Sequence, residues 1–147
     1  MKALLCKEFT AVENLTWEDV PDPYPQDGEV IIEIKAAALN FPDYLIVQGL
    51  YQFKPPLPFS PGSEGAGTIS AVGKNVTEYK VGDRVSFISG WGAFCEKIAV
   101  NQKQVIKIPA TITFELAAAT QMAYGTSYHA LIQRGNLTEN DEILILG

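Results

Sequence analysis

The feature that most constrains this chain is a succession of short runs of alternating character, separated by glycine and proline. "KALLCKEF", "LTWEDV", "GEVIIEIKAAALN", "GTISAVG", "GDRVSFIS", "GAFCEKIAV" and "QVIKIP" follow one another with turn residues between them. Alternation with a period of two marks a strand with one buried face. In "GEVIIEIKAAALN" it puts Val30, Ile32 and Ile34 on one face and Ile31, Glu33 and Lys35 on the other. Strands this short, at close spacing and opened by turn-type glycines, predict a small barrel or sandwich. The expected class is therefore mainly β with some α.

Two stretches read as helix. "FPDYLIVQGL" suits one or two turns, with Pro42 early and Gly49 at the end. "TFELAAATQMAYGTSYHALIQRG" is helical throughout, with Thr113 as cap and Gly135 as stop. Gly125 falls inside it and predicts two helices or one broken helix. Last comes "NLTENDEILILG", a polar turn followed by a purely apolar run at 143–146. Such a run reads as a strand buried on both faces, as in a parallel sheet. The expectation is that the chain stops on the first strand of a second domain. The alternative is that the run pairs with the barrel as its last strand. No internal repeat or low-complexity segment interrupts this order.

Composition narrows the partners. The chain has 147 residues, 47% apolar and 19% charged, which suits one ordinary globular domain with a core. A formal net charge of −6 argues against nucleic acid, whose phosphates demand a basic patch. Cys6 and Cys95 are too far apart and too few for a zinc pattern or a disulfide framework. They read as reduced, buried thiols of a cytoplasmic protein. The opening "MKALLCKEFT" is broken by charge and is no signal peptide. No run approaches the ~20 apolar residues of a membrane span.

One stretch raises a chemical question. "PGSEGAG", residues 61–67, sets a single carboxylate, Glu64, among glycines. A carboxylate there can accept backbone N–H bonds and lock a tight turn, shaping the floor of a cleft. Gly62, Gly65 and Gly67 supply positive φ or close backbone approach. A catalytic role for Glu64 is the other reading. Asp43 stands after Pro42 at a helix start, where free N–H groups favour a carboxylate. It reads as a cap or cleft-wall support, or as a direct contact to cofactor or substrate.

Taken in order, "ALNFPDYLIVQGLY", "PGSEGAGTISAVG", "VGDRVSF", "AYGTSYHAL" and "EILILG" resemble the medium-chain dehydrogenase/reductase superfamily, most of all its zinc-independent quinone oxidoreductase branch. The resemblance covers essentially the whole chain. It implies a GroES-like, partly open β-barrel with short helices over residues 1–125, the catalytic or substrate domain. Residues 126–147 would be a helix and first strand leading into a Rossmann domain absent from this chain. The G-x-G-x-x-G fingerprint of that domain is not found here. In the zinc-dependent cousins, ligands stand at the positions of Asn40 and Ser63 and at or near Met122. Asn, Ser and Met make no zinc site, and Cys95 is alone where a structural zinc lobe would stand. The lone histidine, His129, reads as a helix-surface or interface residue.

The resemblance further implies hydride transfer from NADPH to a small-molecule quinone or other conjugated carbonyl. The cofactor would be held mostly by the missing domain, with no metal, no nucleic acid and no membrane involved. Asn40 and Thr126 would face the nicotinamide end, and Tyr51 would donate to the substrate carbonyl. Asn40, Asp43 and Tyr51 are the candidate catalytic set. The plain alternatives are a polar strand end for Asn40, a cap at the helix break for Thr126 and a loop aromatic for Tyr51. The loop "YQFKPPLPF" would be a semi-rigid apolar wall for a flat ring or an ordered surface loop. Many quinone-reductase relatives carry a tyrosine two residues after the aspartate. Here that position is Leu45, and Tyr44 directly follows the aspartate, which leaves room for enoyl or enone substrates. The full-length protein would be a homodimer, and the chain alone would be inactive. The competing function is a non-enzymatic GroES-like binding or interaction module.

Overall fold

Strand β3 is the spine of the molecule, and its neighbours follow from its burial pattern. In the computed structural model, which describes residues 1–146, the strands are β1 (Lys2–Leu5), β2 (Thr16–Asp19), β3 (Glu29–Ala38), β4 (Glu64–Val72), β5 (Arg84–Ile88), β6 (Lys97–Asn101) and β7 (Val105–Lys107). Val30 and Ile32 are fully buried, as the alternation requires, while Glu33 and Lys35 stay exposed. Ile31, on the other face, is buried as well, so this part of β3 is covered on both sides.

All pairings are antiparallel, in the order β6-β3-β4-β5-β7, with β1 and β2 as a separate pair. A bridge between Ala3 and Cys95 brings β1 alongside the start of β6. The order has two ends, β6 and β7, so the barrel is partly open, as expected. Register shifts between Ile31 and Ile32 and between Ile34 and Ala36 bend β3 across the barrel. Inside lie Val30, Ile32, Ile69, Val85, Phe87 and Val100, among others. Gly67 is part of this packing: a Cβ there would collide with the Glu33 carbonyl of the adjacent strand.

Helix α1 (Phe41–Val47) follows β3 directly. Gly49, at φ +68°, turns the chain out of it, as the sequence predicted. Its inner residues Ile46 and Val47 pack with Cys6 and Phe59 in a second cluster. Helix α2 (Phe114–Ala118) starts at Thr113, whose hydroxyl accepts from the Leu116 N–H at 3.2 Å. Its Ala117 and Ala118 seat against Ala66 of β4.

One expectation about the helical run needs correction. Gly125 does not break the second helix. It has helical angles, φ −61° and ψ −44°, and opens α3 (Gly125–Tyr128), flanked by wider π-type turns at Thr120–Tyr124 and His129–Arg134. The irregularity falls earlier, at Ala119, and Thr126 therefore caps nothing. The helical run ends at Gly135 as expected, with Asn136 in the left-handed region at φ 51°. Residues 143–146 pair with no strand of the barrel, which overturns the alternative that the run is the barrel's last strand. Ile143 is 48% exposed, and Leu144, Ile145 and Leu146 are more exposed still. Gly147 lies outside the described residues. Among the described residues, no helix is long and apolar enough to cross a membrane.

Candidate functional site

The junction of β3 and α1 gathers the polar residues that the barrel buries. Asn40 is extended, at φ −121° and ψ 156°, and serves as the N-cap of α1. Its backbone N–H donates to Asp43 Oδ2 at 2.8 Å, the reach-back half of a capping box. Asp43 is 2% exposed. Burial pushes its carboxyl above the usual range, opposed by the Asn40 N–H and the Ser63 hydroxyl and reinforced by the nearby charge of Glu64. Asp43 Oδ1 and Ser63 Oγ are both buried, and neither has a partner in good hydrogen-bonding geometry.

Glu64 opens β4 and is 1% exposed. Its two oxygens point in different directions. Asn40 Nδ2 donates to Oε1 at 2.9 Å, and the backbone N–H of Met122 donates to Oε2 at 2.8 Å. Glu64 therefore does not lock its own glycine-rich turn. It ties the end of β3 to the first π-type turn of the helical run. The stretch is also less of a turn than it read. Only Gly62 of its glycines has positive φ, +92°, while Gly65 and Gly67 already belong to β4. At Gly65, a Cβ would come within 2.8 Å of the Phe87 ring.

This one carboxylate joins Asn40 and Met122, two of the three positions singled out as departures from a zinc site. Ser63 is its chain neighbour. Among the described residues, no three His, Cys, Asp or Glu side chains come together. His129 sits on the helix surface with Nδ1 2.7 Å from Gln133 Oε1. Cys6 is buried and Cys95 half-buried, both as free thiols. Burial pushes the Cys95 thiol up to about 11, while its sulfur contacts the Gly92 and Lys97 carbonyls at 2.9 Å. Such a thiol is no nucleophile at neutral pH.

The other candidates stand apart from this cluster. Thr126 is exposed on α3, about one turn beyond Met122, with no side-chain hydrogen bond among the described residues. Gln121 Nε2 donates to Ser86 Oγ at 2.8 Å, a second tie between this helical run and the barrel. Tyr51 lies in the loop after α1 and packs against the Cys6, Ile46, Val47 and Phe59 cluster. Its hydroxyl accepts from Gln52 Nε2 at 3.3 Å. The Tyr51 ring meets Phe53 edge-on at 5.3 Å, and Phe53 meets Trp91 at 6.2 Å. Trp91 was not among the residues singled out. Its signal is the "SGWGAF" stretch, an aromatic held between two glycines in a loop. Beside α1 runs an apolar groove of about 720 Å³, lined by Leu4, Trp17, Ala37, Leu39, Tyr44 and Phe94, with Asp43 also on its wall.

Comparison with known proteins accords with this geometry. Residues 26–110 match the alcohol dehydrogenase GroES-like domain. The chain is 42% identical over 147 residues to the human synaptic vesicle membrane protein VAT-1 homolog, covering 99% of this chain and 37% of that protein. It is 36% identical over 144 residues to mouse quinone oxidoreductase-like protein 2, covering 98% of this chain and 41% of that protein. The crystal structure of Escherichia coli quinone oxidoreductase complexed with NADPH superposes with a TM-score of 0.86 at 33% identity, covering 93% of this chain and 41% of that one. The chain thus spans well under half the length of these relatives. On the match over residues 26–110, the chain belongs to the alcohol dehydrogenase GroES-like domain family, the barrel of the medium-chain dehydrogenases/reductases.

Proposed function

We propose that this chain is the substrate-side domain of an NADPH-dependent, zinc-independent oxidoreductase that reduces a quinone or another conjugated carbonyl. In this reading residues 1–125 are the catalytic domain and 126–147 lead into a nucleotide-binding domain. The whole protein is a cytoplasmic homodimer. The observation that carries the reading is the Glu64 bridge, which spends both carboxylate oxygens on Asn40 and Met122. A carboxylate so occupied holds Asn40 and the start of the helical run in a fixed relation, as a preorganised site requires. The NADPH named with the Escherichia coli relative supports the choice of cofactor.

NADPH, when bound, supplies a hydride to the electrophilic ring or alkene of the substrate. Asn40 and Thr126 are the residues of this chain that would hold its nicotinamide end. The fit is chemical. Glu64 holds the Asn40 amide nitrogen and fixes the side chain, which leaves Oδ1 as the only acceptor Asn40's side chain can offer. The Thr126 hydroxyl is exposed and free to accept or donate. The Tyr51 hydroxyl uses a lone pair for Gln52, so its own proton is available to a substrate oxygen that gains charge. Asp43 supports the site by holding the turn from which Asn40 projects.

The test is NADPH oxidation with a simple benzoquinone, by this chain and by a form continuing into a nucleotide-binding domain. Turnover by the two-domain form alone is expected. Its absence with both quinone and enone acceptors removes the reading and moves a binding module ahead. One observation favours that second reading: the relative at 42% identity is named as a vesicle membrane protein and not as an oxidoreductase.

A further inference from the structure

We propose that Trp91, together with Phe53, forms a stacking wall for the flat ring of a conjugated carbonyl ligand. This deepens the reading above and rests on it. The two residues come from separate loops, after α1 and after β5, and their rings meet at 6.2 Å with planes inclined by 46°. Both remain open to solvent, Trp91 at 40% and Phe53 at 39%. Tyr51 extends the row through its edge-on contact with Phe53. Large aromatics that touch one another yet leave this much surface uncovered can take a further ring.

The loop that carries Trp91 is held in place. The Ser89 N–H donates to the Ser63 carbonyl at 2.7 Å, the Ala93 N–H to Gly62 at 2.9 Å and the Phe94 N–H to Pro61 at 2.9 Å. Gly92 takes φ +106° just after the tryptophan, and Gly62 leaves room for the Phe94 ring, where a Cβ would stand at 2.6 Å. The backbone on both sides of Trp91 is thus fastened to the peptide that runs into Ser63 and Glu64. A rigid aromatic attached to the polar cluster is what a ring-binding wall needs, because little ordering remains for the ligand to impose. The row is apolar except for the Tyr51 hydroxyl and the Trp91 indole N–H, both able to donate. That suits a ligand with a flat apolar body and acceptor oxygens at its edge, and an electron-poor quinone ring stacks well on an electron-rich indole.

The chain has two tryptophans, and they report on different places. Trp91 is on the row, while Trp17 lines the apolar groove beside α1. The chain is titrated with 9,10-phenanthrenequinone as Trp17→Phe, where only Trp91 emits, and as Trp91→Phe, where only Trp17 emits. Intensity and lifetime are both followed, since a ground-state complex lowers intensity without shortening lifetime. Saturable static quenching in Trp17→Phe, with collisional quenching alone in Trp91→Phe, is the expected result. Trp91→Ala, checked for an unchanged circular dichroism spectrum, should weaken binding in equilibrium dialysis by roughly five-fold. Saturable quenching of Trp17 alone moves the site to the groove and overturns the proposal. Saturable quenching of neither tryptophan overturns it too. Turnover of quinone by the two-domain form without Trp91 quenching sinks this inference and spares the function. Trp91 quenching without turnover does the reverse.

Discussion

At the scale of residues, the two buried carboxylates Glu64 and Asp43 solve different problems. Glu64 faces a donor with each oxygen, so Glu64→Gln sets its new NH2 group against either Asn40 Nδ2 or the Met122 N–H. One bond is lost and two donors meet, which should cost about 1–3 kcal/mol in urea unfolding. Asn40→Asp should be at least as harmful at neutral pH, since it sets a second carboxylate against Glu64. Asp43 makes a pH prediction whose sign is opposite to that of an ordinary salt-bridged acid. Its folded pKa is raised, with burial as the main cause. Between the unfolded pKa and that raised value, the folded state binds more protons, so stability falls as pH rises through this window. Asp43→Asn removes the titration. The stability difference between wild type and Asp43→Asn should therefore move in favour of wild type as pH falls through the range just above an ordinary aspartate pKa. Denaturant titrations at a series of pH values check this, and a difference that is flat with pH rules it out.

At the scale of elements, the helical run after Thr113 separates what the sequence dictates from what the surroundings decide. Thr113 caps it as its side-chain chemistry demands, and Thr113→Ala should cost about 1 kcal/mol. Gly125 was expected to break it and does not, because a glycine inside a helix costs only about 1 kcal/mol and its neighbours carry it. Its angles are helical and nothing lies within 4 Å of the Cβ it lacks. Gly125→Ala should accordingly raise stability by about 0.5–1 kcal/mol in thermal or urea unfolding, and a loss would mean the segment is not helical in solution. The strands were legible for the same local reason as the cap: period-two alternation in "GEVIIEIKAAALN" is written residue by residue. So was the place of Asp43 at a helix start, where its carboxylate serves the cap of α1. The Glu64 bridge was not, because its partners stand 24 and 58 residues away, and glycines around a carboxylate read first as a turn. Trp91 escaped for a related reason: its importance lies in a ring from another loop. The apolar run at 143–146 shows the converse. Its pattern specifies what the segment would bury, and no described edge receives it.

At the scale of the whole molecule, the polar ties between barrel and helix are few and sit close together. Past Met122, every hydrogen bond of the helical run and the segment after it, among the described residues, stays within that segment. The barrel strands, in contrast, are laddered on both sides from β3 through β5. Tyr124 at 68% and Tyr128 at 58% exposure lie beyond that last tie, uncovered by the barrel. Local stability follows from this distribution of bonds and burial, so opening should begin at the far end of the helical run and halt at Met122. Hydrogen exchange followed by mass spectrometry should find amides at 123–134 exchanging orders of magnitude faster than those of β3 and β4. Glu64→Gln should extend that fast-exchanging region back past Met122 towards Thr113, while leaving β3 protected. If instead the helical run exchanges as slowly as the barrel, the Glu64 bridge is one contact among many and not the hinge between the two parts. If the fast region stops at Met122 in the variant as well, the Gln121 bond to Ser86 and the seat of α2 on β4 hold the junction without it. The expected outcome makes Glu64 the residue that couples the order of the helical run to Asn40.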